Sequence, residues 1–110
     1  MTDFEALVLL NMVDGLGSVR VKKLLELYGV PSKIFEISLH DLHQSGILTP
    51  LMVRRLADIR TRCDVHQEIE EAQRLGIRLL TILDQDYPFH LKEIYDPPVV
   101  LYVKGEITAE

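Results

Sequence analysis

Apolar residues recur at helical spacing from Phe4 to Val13, with Phe4, Leu7 and Leu10 on one face and Thr2 or Asp3 placed to cap the first turn. Asp14, Gly15, Leu16 and Gly17 interrupt the pattern as a tight turn. A second helical stretch, Ser18 to Tyr28, sets Val21, Leu24, Leu25 and Tyr28 on one side and Arg20, Lys22 and Lys23 around the other. Gly29 ends it and Pro31 prevents continuation. Ser32 is expected to cap a short helix from Lys33 to Ile37, and Ser38 another from Leu39 to Gln44.

At Ser45 the first turn returns in degraded form: Gly46, Ile47, Leu48, Thr49 stand where Gly15, Leu16, Gly17, Ser18 stood. With one inserted residue, Arg54 and Arg55 fall where Lys22 and Lys23 fell, and Leu56 where Leu24 fell. Pro50 suits a first helical turn. A long helical pattern then runs from Leu51 to Leu75, with Met52, Leu56, Ile59, Cys63, Ile69, Ala72 and Leu75 on its inner face, a break near Asp64 and Gly76 as its stop. The period changes there. Ile77 to Leu83 is a β-branched, apolar strand run closed by Asp84; a turn and short helix follow from Asp86 to Ile94; Val99 to Val103 is a second strand ended by Lys104 and Gly105.

The composition, 47% hydrophobic and 26% charged over 110 residues, is that of a globular chain with one real core or two very small ones. The apolar run Ala6 to Leu10 is too short to span a bilayer, and no basic region precedes it as in a signal peptide, so a cytoplasmic protein without membrane contact is expected. One cysteine, Cys63, excludes an internal disulfide. The net charge of −5 is uneven: residues 1 to 63 carry eight Lys and Arg against seven Asp and Glu, whereas residues 64 to 110 carry four against ten. The step coincides with the change of pattern and places a boundary there, giving units 1–64 and 65–110.

The residues with the most chemistry to offer lie at the first turn. Two glycines around Leu16 permit positive backbone dihedrals and a close approach by another molecule. The amides of Leu16 to Val19 open a helix, where unbonded N–H groups and the positive dipole end suit a phosphate oxygen. This layout resembles a helix-hairpin-helix motif, repeated once in degraded form. Gly15, Leu16, Gly17, Lys22, Lys23, Arg54 and Arg55 are its candidate nucleic-acid contacts. The same residues also serve an ordinary αα-corner, and the Asp14 carboxylate repels a phosphate backbone. Metal chemistry has weaker support: His40 with His43, and Cys63 with His66, sit three apart, but the spacing is that of no finger and no metal is expected. Asp84 and Asp86 fit turn capping better than acid–base catalysis, and Tyr87 is expected half-buried with its hydroxyl at the surface. No nucleophile elbow, Walker loop or dinucleotide fingerprint occurs, so neither an enzyme nor a cofactor is expected.

Residues 76 to 105 carry a more specific signal. Gly-Ile-Arg-Leu-Leu-Thr (76 to 81), Asp-x-Asp-Tyr-Pro (84 to 88), Leu91, Ile94, Asp96-Pro97-Pro98 and Val-Leu-Tyr-Val-Lys-Gly (100 to 105) resemble the DNA-processing DprA/Smf family, and the opening helical hairpin is similar to that family's N-terminal domain. The resemblance implies a mainly α architecture: a helix-hairpin-helix or SAM-like domain followed by the first strand-helix-strand elements of a Rossmann-like domain. It further implies a protein that protects incoming single-stranded DNA in natural transformation, loads a RecA-type recombinase and forms a homodimer. The family's glycine-rich Gly-Ser-Arg segment is absent, which makes the chain an expected N-terminal fragment whose own DNA binding is weak or nil. A protein-interaction or dimerisation domain without DNA contact is the alternative. A nucleotide-processing enzyme built on a Rossmann core is a third.

Overall fold

The computed structural model describes residues 1–104 and is mainly helical, with one small antiparallel sheet. The elements run α1 (Asp3–Asn11), α2 (Gly17–Tyr28), α3 (Pro31–Ile34), α4 (Leu39–Gln44), α5 (Pro50–Arg62), α6 (Val65–Arg74), β1 (Ile77–Thr81), α7 (Phe89–Lys92) and β2 (Val100–Lys104). Gly105, expected to close the second strand, lies outside the described residues.

Helix α1 is the centre of the molecule. A face of Phe4, Leu7 and Leu10 was the expectation, yet Ala6, Leu7, Val8, Leu9 and Leu10 are all buried, at most 3% exposed. A helix apolar on every side has to be surrounded, and α1 packs against α3, α5, α6, β1 and β2. Polar residues appear only at its two ends. The Thr2 hydroxyl accepts from the Glu5 amide (3.1 Å) while Glu5 accepts from the Thr2 amide (2.8 Å), which satisfies two free N–H groups reciprocally. The Asp3 carboxylate accepts from the Ser32 amide at 3.0 Å. Ser32 is therefore not the cap of the third helix, as its sequence position suggested. Pro31 opens α3 at its first position, extended Val30 precedes it, and the capping oxygen comes from α1.

Ser38, Thr49 and Asp64 cap α4, α5 and α6 through their own side chains, accepting from the amides of Asp41, Met52, and His66 with Gln67. Asp64 divides the long helical stretch: Cys63 and Asp64 are extended, and α6 starts afresh at Val65. Leu75, expected inside, is 51% exposed because α6 ends at Arg74. The Arg60 guanidinium on α5 donates to the carbonyls of Ile34 and Ile37 (3.3 Å each) and lies 5.5 Å from the Phe35 ring centre, tying down the end of α3.

Strands β1 and β2 pair antiparallel, with Leu79 opposite Tyr102 and Thr81 opposite Val100, and the Ile82 amide extends the ladder to the Val99 carbonyl. A parallel pair needs a crossover of a dozen or more residues, usually through a full helix; the connection here holds only the four-residue α7. Val65, Val99 and Val100 belong to the same apolar cluster as Leu7, Leu24, Ile34, Leu42 and Leu56, so residues from both sides of position 64 share one core. Tyr102 bridges sheet and helix, donating to Glu68 of α6 at 3.0 Å; partial burial and that carboxylate push its hydroxyl up to about 12.

Candidate nucleic-acid interface

The loop between α1 and α2 turns because Gly15 (φ +81°) and Gly17 (φ +70°) occupy the left-handed region that side chains avoid. Leu16 between them is 2% exposed and plugs the core. It also occupies the position before α2 where a capping side chain belongs, and a leucine has no acceptor to offer. The acceptor arrives from far along the chain. One oxygen of Asp96 receives the Ser18 amide (3.1 Å) and the buried Ser18 hydroxyl (2.5 Å). The Ser18 hydroxyl and amide, with smaller contributions from Lys22 and the Val19 amide, hold the Asp96 carboxyl below the usual carboxylate range. Of the N–H groups that the sequence offers to a phosphate, the Ser18 amide thus already holds an anion supplied by the protein itself, and the Leu16 amide donates to the Val13 carbonyl (3.2 Å).

Arg55 has a similar role on the other side of the turn. It reaches from α5 to donate to the Asp14 carbonyl (2.8 Å), and a Cβ on Gly15 would lie 3.4 Å from its guanidinium. Of the seven candidate contacts, Gly15, Leu16, Gly17 and Arg55 therefore meet at the turn. Lys23 joins Gly15 to Gly17 along an open cleft of about 380 Å³; Lys22 lies beside Asp96; Arg54 is exposed on α5. The second hairpin repeats the first in part. Gly46 has φ +75° and Leu48 is buried like Leu16, but Thr49 caps α5 locally at 3.2 Å.

Asp96 and Tyr95 were missed as site residues by sequence reasoning. The missing local cap at Leu16 was the available signal for Asp96: a helix start without Ser, Thr, Asp or Asn needs an acceptor from elsewhere. Tyr95 gave no signal, yet it is 86% exposed and lines the cleft with Arg20 and Lys23.

The remaining chemical candidates resolve into structural parts. Asp84 accepts from the Thr81 amide (2.7 Å) and hydroxyl (3.2 Å), while Asp86 pairs with Arg78, so the two carboxylates have separate partners. Tyr87 is only 3% exposed, and its hydroxyl donates inward to the Pro98 carbonyl (2.7 Å) rather than standing at the surface; burial pushes its pKa up. Nδ1 of His66 lies 3.2 Å from Glu5. Among the described residues no three His, Cys, Asp or Glu side chains gather as metal ligands, and no helix is long and apolar enough to cross a membrane.

Three carboxylates, Asp3, Glu5 and Asp96, accept from helix-start amides and are held below their ordinary values by those hydrogen bonds. A lowered folded-state pKa stabilises the fold fully above the unfolded value, and the contribution is lost as pH falls through the folded one. The melting temperature is therefore expected to fall on acidification below about pH 4. Asp96→Asn should show a smaller acid-dependent fall than the parent in parallel thermal melts; an identical fall would separate Asp96 from acid stability.

Residues 78–110 match the model of the family described as DNA recombination-mediator protein A. Over 33 residues, 30% of this chain and 11% of the relative, the chain is 54% identical to the DNA processing protein DprA of Bacillus subtilis. It is 33% identical to protein Smf of a Synechocystis strain over 100 residues, 88% of this chain and 24% of that relative. No solved structure matches. The chain spans about a quarter or less of the length of these curated relatives. The segment matched by the family model contains Asp84, Tyr87 and Asp96, the side chains that brace the connection between the strands and clasp it to α2, and over this segment the chain is similar to the DprA/Smf family.

Proposed function

We propose that the chain is the helical accessory module of a DprA-like DNA-processing protein, which protects incoming single-stranded DNA during natural transformation and passes it to a RecA-type recombinase. In this reading α1, α2, α4 and α5 are a doubled helix-hairpin-helix of SAM-like kind, and the β1–β2 pair is the entry into a Rossmann-like domain. The protein works in the cytoplasm, as a homodimer and without catalysis, and the tighter hold on DNA lies in other parts of it.

The observation that supports this division of labour is the Asp96 carboxylate at the start of α2. It fills the place a phosphate requires, and it leaves Lys22, Lys23 and Arg54 as exposed cations near the turns. Two to four phosphate contacts correspond to weak, salt-sensitive association, with Kd of roughly 10⁻⁴ to 10⁻⁶ M or poorer. A fluorescence-anisotropy titration with single-stranded DNA at physiological salt checks this. Nanomolar affinity, lost in Lys22→Glu/Lys23→Glu, would show the hairpin to be the principal DNA site and overturn the proposal. A protein-interaction module without DNA contact is the second reading, favoured by Leu83, Phe89 and Ile94, which stand exposed around the inter-strand connection.

A further inference from the structure

Tyr95 is the most exposed large apolar side chain in the described part of the molecule, at 86%. A tyrosine in open solvent gains nothing from burial, and this one is not on a loose strand of chain. The next residue, Asp96, is fixed to Ser18 by two hydrogen bonds, and the two prolines that follow have restricted backbones, Pro97 being buried. The ring is thereby held at the rim of the cleft of about 380 Å³ whose other wall is Gly15 to Gly17 and the side of α2 carrying Arg20 and Lys23. Among the described residues neither Arg20 nor Lys23 makes an ion pair.

A presented aromatic face beside two uncommitted cations is the combination that receives a nucleotide of a single strand: the base stacks on the ring and the phosphate meets the cations. The glycines leave the cleft floor without side chains, so a sugar can approach the backbone. Asp96 sets the orientation. Its carboxylate bars a phosphate from the end of α2, which leaves the Arg20 and Lys23 side for the backbone and the Tyr95 side for the base.

We infer that Tyr95, Arg20 and Lys23 form a stacking contact for one nucleotide of single-stranded nucleic acid. This rests on the DNA-associated reading proposed above and gives that weak association a place and a chemistry. The contact reads no sequence, because every base has a face to stack. It disfavours duplex, in which the bases are already stacked.

The 110-residue chain is titrated with a short oligothymidylate and with an abasic oligomer of the same length, followed by NMR and anisotropy. The oligothymidylate is expected to shift the Tyr95 ring and the amides of Gly15, Gly17, Arg20 and Lys23. Tyr95→Ala should weaken its binding by about 5- to 150-fold, the span that corresponds to loss of one base–aromatic stack. Tyr95→Phe should bind like the parent, and the abasic oligomer should bind parent and Tyr95→Ala equally. Since Tyr95 is exposed, neither substitution threatens the fold, and unchanged amide dispersion verifies this. Binding by the oligothymidylate that Tyr95→Ala leaves intact, with shifts elsewhere, overturns this site while leaving the DNA-associated reading in place. No binding of the parent at millimolar oligonucleotide overturns both.

Discussion

Leu7→Ala is expected to lower the unfolding free energy by about 2–5 kcal/mol, the cost of deleting a fully buried leucine and leaving the space unfilled. Leu7 is 1% exposed in the middle of α1, and α1 packs against three other helices and both strands. Neither α3 nor the sheet can readily close over the hole, because each is braced elsewhere: α3 by Arg60 of α5, the sheet by Tyr102 bonded to Glu68 of α6. A domain of this size is stable by about 5–15 kcal/mol, so one substitution removes a large share of the total. Urea denaturation followed by far-ultraviolet circular dichroism measures the loss. The near-ultraviolet signal of buried Tyr87 should change at the same midpoint, because residues on both sides of position 64 share the α1-centred core. A loss under about 1 kcal/mol would mean that α1 is not enclosed as described.

Much of this architecture was legible from local chemistry. Ser38, Thr49 and Asp64 each cap the helix that follows them, and glycines 15, 17, 29, 46 and 76 all take positive φ at the turns and helix ends where the sequence places stops. These features depend on residues within a few positions of one another. What the sequence left hidden depends on distant partners. The run Ala6 to Leu10 is apolar on every side of a helix and so calls for enclosure, but that β1 and β2 are among the elements that enclose it is decided by the tertiary fold. Tyr87 is drawn inward by the Pro98 carbonyl across the inter-strand connection, and the start of α3 is capped from α1. The pairing of the strands was equally indeterminate until α7 proved too short for a crossover helix.

The candidate site shows the same division more sharply. Gly15, Leu16 and Gly17 form the turn that their types demand, and Leu48 repeats the burial of Leu16 in the second hairpin. The electrostatics reverse the expectation, because the Ser18 amide of α2 holds Asp96, a residue 78 positions beyond Ser18. Arg55 likewise joins the turn as a brace on the Asp14 carbonyl rather than as a free cation. A motif read from spacing specifies the backbone of the hairpin; which anion sits at its helix start is decided by the tertiary fold.

Gly17→Val is expected to destabilise the protein by about 1–3 kcal/mol, chiefly through the backbone. Gly17 has φ +70°, where a β-branched residue is strained whatever the space around it, while the nearest atoms to an added Cβ are the Asp96 carboxylate oxygens at 3.8 and 3.9 Å, ordinary contact distances. Gly17→Ala should therefore cost only the dihedral term, about 1–2 kcal/mol, and leave the Ser18–Asp96 clasp in place. The γ-carbons of valine extend beyond Cβ toward that carboxylate, so the larger residue carries a second penalty. A double-mutant cycle with Asp96→Ala separates the two causes. The alanine substitution should cost nearly the same with and without Asp96, and the valine substitution should cost less once Asp96 is gone. Equal costs for valine in both backgrounds would confine the effect to the dihedral. An unchanged melting temperature in Gly17→Val would rule out the tight turn on which the cleft between Tyr95, Arg20 and Lys23 is built.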